Sequence, residues 1–174
     1  MRSVADLTPA ERGKSHQLHK LANEIRGKFL TGATWIEILL SDILATYFCT
    51  SEQRRLLFFS EVAVEMSLYR KTELLVKLLR FEYPEMLMKY PRLESQLQVF
   101  RSFRNLVAHS HIDTSKPALG TTTQDEVTFI YYRNGKVKHR KVTRKDAQQR
   151  AKEANSLRDA LVVIQSHINA KCRG

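Results

Sequence analysis

The stretch Arg104-Asn105-Leu106-Val107-Ala108-His109 holds the residue types in this chain best suited to chemistry. An imidazole, whose unperturbed pKa is roughly 6.5, exchanges protons near neutrality, and a guanidinium keeps its proton while gripping two phosphate oxygens at once. Together they could act on a phosphodiester without a metal, with His109 as base or acid, Arg104 as electrostatic clamp and Asn105 as positioning donor. On a helix Asn105 and His109 are four apart and share a face, whereas Arg104 lies about 140° around the axis from His109. The helix must therefore end or bend at His109 for the two to meet. A plainer reading also fits: an Arg and a His that satisfy terminal carbonyls and complement the helix dipole. Arg101, one turn earlier, either extends the cationic surface or is simply solvated. His111 is either a second proton-transfer group or a loop histidine in solvent.

Other chemical patterns are absent from the sequence. There is no glycine-rich phosphate loop, nucleophile elbow or spaced Cys/His set. His16 and His19 are three apart but have no nearby third ligand, so a solvated helix face is expected. Cys49 and Cys172 have neither the spacing nor the density of a zinc site or a disulfide framework. No metal and no cofactor are expected.

The elements that must position these residues read as mainly helical. Six Gly and four Pro among 174 residues leave little punctuation, which favours long helices over many short strands. Thr8-Pro9-Ala10-Glu11 carries a capping hydroxyl, a Pro at the first helical position and a Glu three residues on, and starts a helix running to about Phe29. Thr31-Gly32 is expected to interrupt it. Thr34 and Glu37 then repeat the capping pattern before an apolar helix, Trp35 to Phe48, whose apolar residues cover most of its circumference. Such a helix is central or sandwiched against another subunit. Glu37 is its odd member, either solvated at the helix N-terminus or a buried partner for an Arg. Helical spacing continues from Leu56 to Phe81, with a stripe of Leu68, Leu75, Leu78 and Leu79. Pro84 and Pro91 fence a short helical piece, Glu85 to Tyr90. The next helix begins near Leu93, carries Leu97, Phe100 and Val107 on its buried face, and ends around His109.

The period changes after Lys116–Thr123, a Pro/Gly/Thr stretch read as a loop. Glu126–Tyr132 and Lys136–Val142 flank Arg133-Asn134-Gly135, and Asn-Gly tolerates the positive φ angles of a two-residue hairpin turn. In the implied register Tyr132 faces Val137 and Val127 faces Val142. Thr143 with Asp146 opens a last helix, which buries Ala147, Ala151, Ala154, Leu157, Leu161, Ile164 and Ile168. The expected organisation is one domain over 1–174: a helical bundle over 1–115, a loop and basic hairpin over 116–143, and a C-terminal helix over 144–174.

The formal net charge is +11, from 29 Lys plus Arg against 18 Asp plus Glu. Most of it stands between Arg133 and Lys152, where Lys136, Lys138, Arg140, Lys141, Arg144 and Lys145 form a candidate RNA-binding surface. Tyr131, Tyr132 and His139 offer rings that could stack on unpaired bases. Lysines on an edge strand also discourage edge-to-edge aggregation, which is the alternative reading. The N-terminal residues have no apolar core of a signal peptide, and Glu37, Ser41 and Asp42 interrupt the apolar stretch from Trp35 to Cys49, so no membrane association is expected and the chain reads as cytoplasmic.

The Arg-polar-x-x-x-His pattern ending a long helix resembles the signature of the HEPN superfamily, all-α domains named for higher eukaryote and prokaryote nucleotide binding. The helices upstream, from about Glu24 to His111, resemble small HEPN proteins as well, and the hairpin with its final helix looks like an appendage. The resemblance implies a HEPN-like helical bundle with an appended β-hairpin. It further implies a homodimer in which two Arg-His motifs meet and cleave single-stranded RNA without a metal, leaving a 2′,3′-cyclic phosphate. Such proteins serve as toxins or phage-defence effectors, often with an antitoxin or defence-system partner. In toxins paired with a nucleotidyltransferase, a Tyr two residues after the His accepts nucleotide modification; here that position is His111, so modification there is not expected. The rival reading is a non-catalytic HEPN-like dimer that binds a partner protein, nucleotide or nucleic acid. A DNA-binding regulator using the hairpin is a third, although no helix-turn-helix pattern precedes it.

Overall fold

The computed structural model describes residues 7–121 and 123–172. Seven helices and one small sheet follow in order: α1 (Pro9–Phe48), α2 (Glu52–Leu57), a π-helical turn (Phe58–Ala63), α3 (Leu68–Glu82), α4 (Pro84–Lys89), α5 (Leu93–His109), β1 (His111–Ile112), α6 (Lys116–Thr121), β2 (Glu126–Arg133), β3 (Lys136–Thr143) and α7 (Arg144–Cys172). The fold is mainly helical with a three-stranded antiparallel sheet in the order β1-β2-β3. Of the two cysteines, the Cys172 side chain lies outside the described residues, as do the first six residues of the chain.

Residues group into two compact units drawn from separated stretches of chain. One holds the described residues through Leu30 together with Phe103–Ala151; the other holds Thr31–Ser102 and the described residues from Lys152 onward. Helices α1, α5 and α7 each supply residues to both.

In the first unit, Thr8 and Glu11 make the expected reciprocal cap: Glu11 Oε2 accepts from Thr8 N at 2.7 Å and Thr8 Oγ1 from Glu11 N at 3.3 Å. Leu21, Ile25 and Phe29 of α1, Phe103 and Val107 of α5, and Val127, Phe129 and Val142 of the sheet are buried. The Phe29 and Phe103 rings meet edge to face at 4.7 Å. The hairpin register is as expected, with Tyr132 opposite Val137 and Val127 opposite Val142. Asn134 (φ 53°) and Gly135 (φ 70°) occupy the left-handed region at its tip. Two features differ from the sequence reading. The stretch expected to be a loop from Lys116 forms α6 with Leu119 buried, since a buried Leu outweighs the weak helix preference of Pro and Gly around it. The hairpin gains a third strand, β1, because His111 and Ile112 pair with Ile130 and Phe129. The base of the hairpin is therefore core, and only its outer half resembles an appendage.

In the second unit the expected stripes are buried: Leu68, Leu75, Leu78 and Leu79 on α3, Leu93, Leu97 and Phe100 on α5, and Ala154, Leu157, Leu161, Ile164 and Ile168 on α7. Ala147 and Ala151 of the same helix, also expected inside, are only half-buried. The expected break at Thr31-Gly32 does not occur, and α1 runs unbroken for 40 residues. A mid-helix Gly costs about 1 kcal/mol relative to Ala, and burial of Phe29, Ala33 and Ile36 on either side offsets it. Glu37 consequently stands mid-helix and half-buried, so its N-terminal dipole role falls away. The circumference of this stretch is also not wholly covered, for Ile36, Leu40, Ile43 and Leu44 are buried while Trp35 is 64% and Ile38 42% exposed.

Within α1 a window of 18 residues with mean hydropathy 1.3 is long and apolar enough, by length and composition, to cross a bilayer. No span was expected there because Glu37, Ser41 and Asp42 interrupt it; half of the window is buried inside the protein.

At the start of α4, Glu85 joins elements far apart in sequence, with Oε1 2.9 Å from His167 Nε2 and 3.1 Å from Lys171 Nζ on α7. Its own backbone N–H, then Lys171 and His167, hold its pKa from 4.5 down to about 2. A carboxylate depressed in the folded state stabilises the fold above its unfolded value and loses that contribution as pH falls toward the folded one. The urea midpoint should therefore decline between pH 4.5 and about 2, and Glu85→Gln should flatten part of that decline; an equal decline in both proteins contradicts this linkage.

Candidate functional site

Helix α5 ends at His109, and its last turns hold the chemical pair together. Arg104 Nη1 lies 3.1 Å from His109 Nε2, although the residues are five apart and would diverge on a continuing helix. A guanidinium only donates, so in a hydrogen bond between the two His109 Nε2 is the acceptor. Arg104 Nη1 also donates to Asn105 Oδ1 at 3.4 Å. Asn105 and His109 are exposed and Arg104 is half-buried, so the pair stands at the protein surface.

A residue not singled out in the sequence positions this end of α5. Arg26 of α1 donates from Nε to Val107 O at 2.9 Å and from Nη2 to Ser110 O. Its guanidinium also lies 5.5 Å from the centre of the Phe129 ring. The last carbonyls of α5 thus have a cationic partner. Arg26 bonds carbonyls at this helix end, and the Arg104 and His109 side chains approach each other. Nothing in the local sequence around Arg26 marks it, because its partners lie more than 80 residues away.

His111 is exposed at the start of β1, opposite Ile130. His139 stands opposite the same residue on β3, and its Nδ1 lies 3.2 Å from Asp113 Oδ2. Asp113 was also missed, although Asp113-x-Ser115 has the spacing of an Asx turn: Ser115 N donates to Asp113 Oδ1 at 3.0 Å.

The basic surface holds exposed cations, some of them tied into ion pairs. Lys136, Lys138, Arg140 and Lys145 are exposed. Lys141 pairs with Glu126 at 2.8 Å, and Arg144 bridges Glu24 at 2.6 Å and Asp125 at 3.0 Å. Lys28 and then Arg144 lower the Glu24 pKa. Arg144 therefore ties the start of α7 to α1, a structural duty within the first unit. Asp146 closes the capping box, with Oδ2 accepting from Thr143 N at 3.0 Å and from Thr143 Oγ1 at 2.8 Å, and these bonds lower its pKa.

Glu37 and Arg101 belong to the second unit. Arg101 lies over the Tyr69 ring at 4.5 Å, and its Nη1 donates to Thr72 Oγ1 at 3.4 Å, so packing engages it more than the solvated reading supposed. The same unit holds a groove of about 550 Å³ lined by Trp35, Ile38, Leu39, Leu56, Phe59 and Val162, with Asp42, Arg55 and Arg158 among its polar members. The π-helical turn contributes Phe59 to this lining. Among the described residues no group of three or more His, Cys, Asp or Glu could hold a metal ion.

No protein-family model, curated protein or solved structure matches the chain. The resemblance to HEPN domains rests on the motif and the helices that carry it.

Removing the anchor should be costly. Arg26→Ala leaves two carbonyls at the end of α5 without their charged donor and is expected to lower stability by about 2 kcal/mol. Arg26→Lys should recover less than half of that, because an ammonium lacks the planar fork. Urea unfolding of the three proteins checks the order.

Proposed function

We propose that this protein is a metal-independent endoribonuclease of HEPN type that acts on single-stranded RNA. The observation that carries the reading is the 3.1 Å approach of Arg104 Nη1 to His109 Nε2 at an exposed helix end. RNA brings its own nucleophile, the 2′-hydroxyl, so the protein need only move protons and balance charge on the phosphorane. A phosphate entering the site competes with the neutral imidazole for Arg104, and a charge-assisted pairing with phosphate oxygens is the stronger bond. Substrate binding would thus free the Nε2 lone pair as it seats the phosphate. His109 then takes the 2′-hydroxyl proton, while Asn105 orients the guanidinium. Lys136, Lys138 and Arg140 on β3 and Lys145 at the start of α7 would gather the RNA backbone, with Lys141 and Arg144 contributing field while paired to Glu126 and Glu24. In this reading two copies associate, and the role is that of a toxin or defence effector with a cognate partner protein in the cytoplasm.

A second reading, a non-catalytic helical binding module, is supported by the apolar groove around Trp35 and Phe59. Its volume of about 550 Å³ is in the range of pockets that hold small molecules or partner side chains.

End-labelled RNA incubated with the protein in EDTA separates the two. The wild type should yield new 2′,3′-cyclic phosphate ends. Arg104→Ala and His109→Ala should each lower the rate by at least about 10²-fold while the protein stays folded. RNA retained without new ends favours the binding module. The basic strand makes a separate prediction: the affinity for an uncleavable 2′-O-methyl RNA should fall steeply with salt, and a flat response would remove the electrostatic part of the proposal.

A further inference from the structure

Breaking a phosphodiester through its 2′-hydroxyl moves two protons, one off the nucleophile and one onto the leaving 5′-oxygen. The Arg104–His109 pair accounts for the first. The second needs a donor outside that pair, either the motif of the second copy or another group of the same chain.

The sheet carries a histidine built for that task. His139 Nδ1 is held by Asp113 Oδ2 at 3.2 Å, and Asp113 is itself fixed by two further bonds. Its Oδ1 accepts from Ser115 N at 3.0 Å, its backbone N–H donates to Thr128 O at 2.9 Å, and the residue is only 8% exposed. A buried carboxylate with one oxygen committed to the backbone and the other to an imidazole sets that ring's orientation. The His139 side chain is 54% exposed, so Nε2 is left on the accessible side.

The Asp113–His139 pair adjoins the motif along the chain. Asp113 follows His109 by four residues, and β1 begins two residues after His109. His139 lies two strands away from β1, about 10 Å at ordinary strand spacing, and its ring spans back toward β1 to reach Asp113. The exposed cations Lys138 and Arg140 flank it in sequence, and Lys141 on the same sheet face is paired with Glu126.

We propose that His139, oriented by Asp113, is the general acid of the RNA cleavage, so that the second proton-transfer group comes from the hairpin of the same chain. The inference rests on the ribonuclease reading. As O2′ bonds to phosphorus, its proton passes to His109 Nε2. The P–O5′ bond breaks with its electron pair left on O5′, which takes the proton from His139 Nε2. His109 then releases a proton to solvent and His139 regains one, leaving no net change in the protein. Asp113 is a positioning residue that acts through His139.

A leaving group that needs no proton isolates this step. The test compares an RNA oligonucleotide spanning a mapped cut site with the same oligonucleotide carrying sulfur in place of the bridging 5′-oxygen, whose thiolate leaves unprotonated. His139→Gln should cleave the oxygen substrate about 10² to 10⁴-fold more slowly than wild type and the sulfur substrate at close to the wild-type rate. Asp113→Asn should show the same pattern with a smaller loss, while His109→Ala should be slow on both. Thermal melting of each variant confirms folding, and His139→Asn serves if the Gln variant is unfolded. If His139→Gln cleaves the oxygen substrate at half the wild-type rate or better, or is equally slow on both, the proposal is overturned and the ribonuclease reading stands. If the wild type cleaves neither substrate, both fall.

Discussion

The guanidinium of Arg26 is the interaction on which the candidate site depends. It bonds two carbonyls at the C-terminal end of α5 and lies against the ring of Phe129, so one side chain joins α1, α5 and the central strand of the sheet. A helix terminus leaves its last carbonyls without partners, and a buried terminus must find donors elsewhere. With α1 providing the donor, α5 stops at His109, and the last turns of the helix hold the imidazole beside Arg104. A contact more than 80 residues away thus anchors the end of the helix that carries the motif.

The hairpin performs two tasks that its composition blurs. Its base, with Val127, Phe129 and Val142, is part of the first unit's core, while its outer half exposes Lys136, Lys138 and Arg140. Burial at one end of the ribbon sets the register, and a slip of one residue would turn the buried set outward. The basic side chains are thereby held in fixed places on an exposed edge. The same register sets His139 opposite Ile130 and within reach of Asp113. Arg144 marks the boundary between these tasks, since its charge belongs to Glu24 and Asp125.

The second unit shows a different balance. The Trp35 to Phe48 stretch is more apolar than its own packing requires, because Ile36, Leu40, Ile43 and Leu44 fill one face and leave Trp35 and Ile38 on another. Together with Leu56 and Phe59 they make a concave apolar surface. Patches of this kind on a folded chain mark places where something binds.

Local rules were enough for much of this protein. The reciprocal cap at Thr8 and Glu11, the left-handed Asn134-Gly135 tip, the hairpin register and the Thr143–Asp146 cap all involve residues close in sequence, and periodicity marked the buried stripes of α3, α5 and α7. The Arg104–His109 motif was legible for the same reason, together with the condition that the helix must end there. What the tertiary structure decided were the features whose energy comes from distant partners. Gly32 sits inside α1 because flanking side chains are buried; Lys116–Thr121 coils because Leu119 is; β1 exists because Phe129 and Ile130 offer it a strand to pair with. Arg26 and the Asp113–His139 pair are invisible along the chain because packing, and not sequence spacing, places each beside its partners.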